Sequence, residues 1–186
     1  MNEVWQDKIP PQDIEAEQAV LGAIFLDSDT LIDAMEIVTP RSFYRRSHQI
    51  IFQSMIQLSN RGEAIDLVTL KADIEKSNAV VDIGGISYLS ELSQSTPSSA
   101  SVSYYAKIVD DKSLLRQLIQ TANQIVVKSF EQGEEVQAIV DEAERSILEV
   151  SEKRNSTGFQ SIADVLNQSI ETIDRLAQNN EEITGL

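Results

Sequence analysis

Cysteine is absent from the 186 residues, and histidine occurs once. The first absence excludes disulfide frameworks, thiolate-held zinc, thiol nucleophiles and iron–sulfur clusters. The single His48 excludes HExxH zinc sites, paired di-iron motifs and multi-histidine centres. Aromatic residues make up only 5%, which points away from an aromatic-packed β-sandwich. Cations are also scarce, with 15 Lys+Arg against 30 Asp+Glu and a net charge of −15. Neutralising phosphates takes an excess of Lys and Arg, so this balance argues against unspecific binding to nucleic acid or an anionic membrane. Residues 1–105 hold 15 acidic and 7 basic residues and residues 106–186 hold 15 and 8, so no basic half hides in the average. No apolar run approaches the roughly 20 residues of a membrane span. Met1–Lys8 has neither the basic nor the apolar region of a signal peptide. No glycine precedes a lysine, which removes the GxxxxGK[ST] phosphate cradle, and GxGxxG is missing too. The expectation is a soluble, cytoplasmic, acidic protein that is not itself an enzyme.

What is present reads as helix. Residues 1–12 form an arm ending at Pro10-Pro11, which suit a helix start just after them. Ile14, Ala16, Ala19, Val20, Ala23 and Ile24 follow a helical apolar period over 13–26, with Asp13, Glu15 and Glu17 in the first turn, where the dipole favours anions. Asp27-Ser28-Asp29 breaks this helix and can cap a short one at 30–37. A third helix covers 47–60 and stops at Arg61-Gly62. Asp66 caps a fourth that runs to about Lys76, and a fifth carries Tyr88, Leu89 and Leu92 before the loop at 95–99. From Ser101 to Gln132 there is neither proline nor glycine, giving a helix of about 48 Å at 1.5 Å per residue. Gly133 separates it from a second long helix at 134–153, so the pair forms an antiparallel hairpin. A polar linker, 154–158, leads to an amphipathic helix at 161–178. The expected architecture is all-α, in four parts: a flexible N-terminal arm (1–12), a globular helical bundle (13–100), a long antiparallel helical hairpin (101–153), and a linker region (154–186) with its own helix.

The two hairpin helices differ in their faces. On 134–153, Val136, Ile139, Val140, Ala143, Ile147 and Val150 fall in a stripe about 100° wide, which one partner helix satisfies. On 101–132, Tyr104, Ile108, Leu115, Leu118, Ile119, Ala122 and Val126 share a central face, flanked by Leu114 and Ile125 on one side and Tyr105, Val109 and Val127 on the other. That sector spans roughly 200°, more than one neighbour covers. The hairpin is therefore expected to pack against the globular half at its base and against another chain along its length; the alternative is that it folds back fully onto residues 13–95.

Chemistry finds little purchase. His48 follows Tyr44-Arg45-Arg46-Ser47 at a helix start, with no nucleophile-elbow glycines, and reads as a capping or packing residue. Arg45-Arg46 with Arg41 is the single basic cluster and reads as surface or interface, with Phe43 and Tyr44 as core rather than a base-stacking platform. The carboxylates read as solvated helix faces, Asp110-Asp111 among them. Neither a catalytic nor a metal site is expected.

Several blocks together resemble the bacterial replicative DNA helicase family of DnaB. They are Ile9-Pro10-Pro11 with Glu15-Ala16-Glu17-Gln18-Ala19-Val20-Leu21-Gly22-Ala23, then Phe43-Tyr44 with His48 and Phe52, and Asp66-Leu67-Val68-Thr69. Gly84-Gly85 with Tyr88-Leu89 and Leu92, Tyr104-Tyr105-Ala106 with Ile108-Val109, Leu115-Arg116 and Glu182-Ile183-Thr184-Gly185 continue the series. The last block resembles the opening of the family's RecA-like ATPase domain, so the chain looks like the N-terminal region and linker of such a helicase. The resemblance implies a hexameric, ATP-driven 5′→3′ helicase at the replication fork, with ATP, Mg and single-stranded DNA held by the ATPase domain. For this part it implies no cofactor, no catalytic residue and no membrane, but a collar that self-associates as a dimer, trimer of dimers or hexamer. It further implies docking of the helicase-binding domain of DnaG primase, with Tyr88, Ile119 and Ile125 as the candidate contacts, and an encounter with a helicase loader. Tyr105, Val109, Leu114, Leu115, Leu118, Val126 and Val127 are the candidates for hairpin pairing. Ile162, Val165, Leu166, Ile170 and Ile173 are those for docking the linker helix on the next subunit's motor domain. The rival expectation is a stand-alone helical dimerisation adaptor; a carboxylate-based hydrolase would need Asp and Glu clustered in a pocket.

Overall fold

The computed structural model describes residues 8–76, 83, 85–95, 98–130 and 135–156. Among them are seven α-helices, one 3-10 turn at Pro40–Ser42 and no strand. The helices are α1 Ile14–Leu26, α2 Thr30–Met35, α3 Arg46–Asn60, α4 Leu67–Lys76, α5 Gly85–Ser93, α6 Val102–Phe130 and α7 Val136–Ser156. The linker helix expected at 161–178, with Ile162, Val165, Leu166, Ile170 and Ile173, lies outside the described residues, as does the Gly133 turn.

Local signals set the helix ends. Asp13 caps α1 by accepting from the Ala16 amide at 3.0 Å. Asp66 caps α4 with one oxygen, accepting from the Val68 and Thr69 amides at 2.8 Å each, while Thr69 Oγ1 accepts from the Asp66 amide in return. The Thr69 amide is the main reason the Asp66 carboxyl sits below its usual range. At the end of α3, Gly62 adopts φ 68°, its amide donates to Ser59 O and the Glu63 amide to Leu58 O. This is the paired closure that needs a left-handed residue just past a helix. The expectation fails at α2: Asp29 makes no side-chain cap, and Asp27 instead accepts from the Asp29 amide in a local turn.

The core forms around α1. Ala16, Glu17, Val20, Leu21, Gly22, Ala23 and Ile24 are all buried, leaving α1 without a solvated stripe through its middle. Helices α2, α3, α5 and α6 surround it, and α4 closes over α3 and α5. Ile51, Phe52, Met55 and Leu58 from α3 and Leu70 and Ile74 from α4 fill the far side. The first half of α6 belongs to this body. Val102, Ala106, Val109 and Ser113 form one buried stripe at helical spacing, facing α1. Beyond Ser113, α6 leaves the body and α7 packs back along it, with an ion pair between Lys128 and Glu142.

Candidate docking surface

The distal hairpin is apolar but poorly covered by its own chain. On α6, Leu115, Leu118, Ile119, Val126 and Val127 are exposed, and Phe130 is 80% accessible. On α7, Ile139 and Ala143 are half-buried and Val150 buried, but Val136 is 78% accessible and Val140, Ile147 and Leu148 are exposed. The single-partner expectation for α7 is therefore corrected. One crossing helix covers only the middle of the stripe and leaves both flanks to solvent.

The wide α6 sector divides along the helix. Val109, expected as a pairing residue, is 1% accessible and lies in the chain's own core, and Tyr105 packs against that core. They lie on the proximal half of α6, which packs on α1, so Val109 is not free to pair with another chain, while Tyr105 is half-buried. Leu114 is half-buried, while Leu115, Leu118, Val126 and Val127 remain exposed on the distal half. Of the residues expected to meet a partner, Ile119 is exposed and Ile125 half-buried, and both line a groove of about 1080 Å³ between α6, α7 and residues 8–11.

Tyr88 stands apart from that groove, in a buried polar network. Glu17, 1% accessible, reaches from α1 to the start of α3, where its carboxylate accepts from the Tyr44 amide at 2.6 Å and the Arg45 amide at 3.3 Å. It is the distant cap of a helix whose own N-cap, Arg45, makes none. His48, fully buried, places Nδ1 2.6 Å from Glu17 Oε2 and Nε2 2.6 Å from the Tyr88 hydroxyl, and Gln18 Nε2 donates to that hydroxyl at 3.1 Å. The His48 and Tyr88 rings are parallel within 5°. With the His48 proton assigned to Nδ1, every partner in the chain is satisfied: Gln18 gives to Tyr88, Tyr88 to His48, and His48 to Glu17. His48 is thus a packing residue with a specific partnership, which its neighbours in sequence did not announce.

Two further side chains tie elements together. Arg116, the last part of the Leu115-Arg116 block, donates Nη1 to Pro11 O at 2.7 Å and Nη2 to Ser42 O, with its guanidinium 5.7 Å from the Tyr44 ring centre. Burial there pushes its pKa down, opposed by the nearby Glu17 carboxylate. Asp73, buried between α3 and α4, accepts from the Ser54 hydroxyl and from Arg61 Nη2 at 2.7 Å. These bonds are structural. Among the described residues, no group of three His, Asp or Glu side chains stands together as a metal site. Nor is any helix there long and apolar enough to cross a membrane.

The comparisons agree with this anatomy. Residues 9–111 match the family model described as DnaB-like helicase N terminal domain. Over 186 residues the chain is 47% identical to the replicative DNA helicase DnaB of Geobacillus stearothermophilus and 45% to the replicative DNA helicase DnaC of Bacillus subtilis. Each alignment covers all of this chain and 41% of the relative, so the chain spans about two fifths of the length of the relatives it matches. The crystal structure of the N-terminal domain of DnaB helicase from Mycobacterium tuberculosis superposes with a TM-score of 0.73 at 37% identity, covering 76% of this chain and 99% of that one. A DnaB-like replicative helicase, in a structure described with its interactions with primase, shares the fold at TM-score 0.62 and 23% identity, over 86% of this chain and 35% of that one. With its helical body built around α1 and α6, and with more than half its length matched to the family model, the chain belongs to the DnaB-like helicase N-terminal domain family.

Proposed function

We propose that this chain is the collar and linker of a hexameric replicative DNA helicase, and that its hairpin mediates self-association and docks primase. The observation that carries the reading is the distal hairpin. In a chain of this family, large apolar side chains from Leu115 to Phe130 and from Val136 to Leu148 face solvent. Their burial in an assembly is favourable by roughly 25 cal/mol per Å² of apolar surface. In this reading Leu114, Leu115, Leu118, Val126 and Val127 pair with a neighbour, and Ile119 and Ile125 meet the helicase-binding domain of primase. Tyr88, half-buried on α5 with its hydroxyl bonded to His48 and Gln18, is the third candidate contact. Residues 154–186 lead to the RecA-like domain, which holds ATP, Mg and single-stranded DNA and performs 5′→3′ unwinding at the fork of a bacterial cytoplasm. Ile162, Val165, Leu166, Ile170 and Ile173 dock on that domain of the next subunit, and a loader assembles the ring. Primase binding acts through the collar by preferring one pairing state of the hairpins.

Light scattering after size exclusion tests the reading, on residues 1–186 with and without the helicase-binding domain of primase. A dimer or hexamer that gains primase mass is expected. A monomer that ignores primase would defeat both halves of the proposal. Ile125→Asp separates them: unchanged primase affinity in that variant would remove the docking face while leaving self-association standing.

A further inference from the structure

The groove between α6 and α7 is lined lengthwise by one face of each helix. Ile119, Asn123 and Val127 recur at i, i+4 and i+8 on α6, and Ile139, Ala143 and Ser146 at i, i+4 and i+7 on α7. From Ile119 to Val127 the lining runs about 12 Å along the helix. Residues 8–11 add a third wall. The volume of about 1080 Å³ leaves room for several side chains.

These walls decide what kind of chain fits. An extended peptide is held by an edge of free backbone donors and acceptors. The two helices offer side chains and keep their backbone groups in their own ladders. Pro10 and Pro11 have no N–H to give, and Pro11 O already accepts from Arg116 Nη1 at 2.7 Å. An occupant must therefore pair its own backbone groups, which a helix does. Charge narrows the choice further. The lining carries Lys8, Arg116 and Lys128 against Glu142, whereas the whole chain has 15 Lys+Arg against 30 Asp+Glu. Lys128 pairs with Glu142, so the local balance stays positive and suits carboxylates on the incoming segment.

Ile9 completes the apolar part of the seat. It lines the groove yet is 74% accessible. The fixed φ of Pro10 and Pro11 and the Arg116 bond hold its segment in place before anything binds, so little ordering cost remains. We infer that the groove seats one amphipathic helix of a partner protein, apolar along one face and flanked by Asp and Glu, and that Ile9 is a binding residue for it beside Ile119 and Ile125. The inference rests on the reading that Ile119 and Ile125 meet primase, and it names the chemistry of the segment they take.

Titration calorimetry of the helicase-binding domain of primase into residues 1–186 tests it. Ile9→Asp should weaken binding at least about tenfold, as for an interface anchor, and Ile9→Leu should bind as the unsubstituted chain does. Lys8→Glu should weaken binding about fivefold at low salt, and the difference should close in 1 M NaCl, where the screening length is about 3 Å. The urea midpoint of each variant checks that the fold is kept. If Ile125→Asp binds as tightly as the unsubstituted chain, the docking face is absent and the reading falls together with the inference. If Ile125→Asp binds weakly but Ile9→Asp does not, the docking face stands and the inference alone is overturned. Unchanged or tighter binding by Lys8→Glu would mean that the segment is not acidic and would overturn it too. So would an Ile9→Asp chain that loses self-association and keeps its primase affinity, since the occupant would then be a second copy of this chain.

Discussion

Glu17 and His48, 31 residues apart, meet at 2.6 Å in a site that neither side chain shares with solvent. The pair joins α1 to the first turn of α3, and Tyr88 extends it to α5. Glu17→Ala removes the acceptor for the Tyr44 amide and for His48 Nδ1 together. A buried donor left without a partner costs about 1–3 kcal/mol. The expected loss is about 3 kcal/mol in the free energy of urea unfolding. Tyr88→Phe removes only the hydroxyl, and about 1 kcal/mol is expected to go with it. Equal stability of Glu17→Ala and the unsubstituted chain would show that the network contributes nothing net.

Arg116 reaches two carbonyls, 105 and 74 residues away, from the point where α6 leaves the globular body. Its planar fork serves both, whereas the lysine ammonium is a point charge on a flexible stem. Arg116→Ala should lower stability by about 2 kcal/mol, as two hydrogen bonds to a charged group are lost. Arg116→Lys should recover less than half of that. Amide exchange should accelerate around residues 12–18 and 42–46 in Arg116→Ala and not at α4, which the guanidinium does not touch. Uniform acceleration across the chain would mean that Arg116 is not a local clamp.

Much of this architecture could be read from residues in order, and the limit of that reading has a physical cause. Caps at Asp13 and Asp66, the stop at Gly62 and the long uninterrupted α6 depend on neighbours within a few positions, so the sequence exposes them. Periodicity also shows which way Val109 and Val127 point around α6, but not what lies in that direction. The answer differs because the buried stripe of α6 stops at Ser113. Glu17 gave a first-turn signal common to most helices, and nothing local distinguished it as the cap of another helix. The one usable hint was that Gln18, His48, Tyr88 and Arg116 all fell within the blocks that resemble the family.

Asp73 carries the acid sensitivity of the α3–α4 contact. Burial works to raise its pKa, but the Ser54 hydroxyl and the Arg61 guanidinium outweigh burial and hold the carboxyl below its usual range. Its folded value thus lies beneath the unfolded one, near about 3.9. The sign follows: the contribution is full above the unfolded value and is lost as pH falls through the folded one. Asp73→Asn should therefore be less stable than the unsubstituted chain at pH 7, by about 1–2 kcal/mol, and the two unfolding curves should converge towards pH 2. Curves that stay parallel from pH 7 to pH 2 would show that Asp73 gains nothing from its charge.

The division of α6 predicts opposite outcomes for two valines. Val109 is enclosed by the chain's own core and Val126 is exposed. Val109→Ala removes two buried methyl groups, worth about 0.8 kcal/mol each by transfer, with a cavity cost added. It should destabilise the chain by about 2 kcal/mol and leave the self-association constant unchanged once folded. Val126→Asp should do the reverse. It alters a solvated position in the lone chain, where substitutions usually fall within about 0.5 kcal/mol. In an assembly it would bury an unpaired carboxylate, so the association constant should drop at least about tenfold. Urea unfolding at low concentration and sedimentation equilibrium separate the two effects. If Val126→Asp associates as tightly as the unsubstituted chain, the distal face of α6 is not the pairing surface, and the apolar residues on α7, from Val136 to Leu148, become the surface to test.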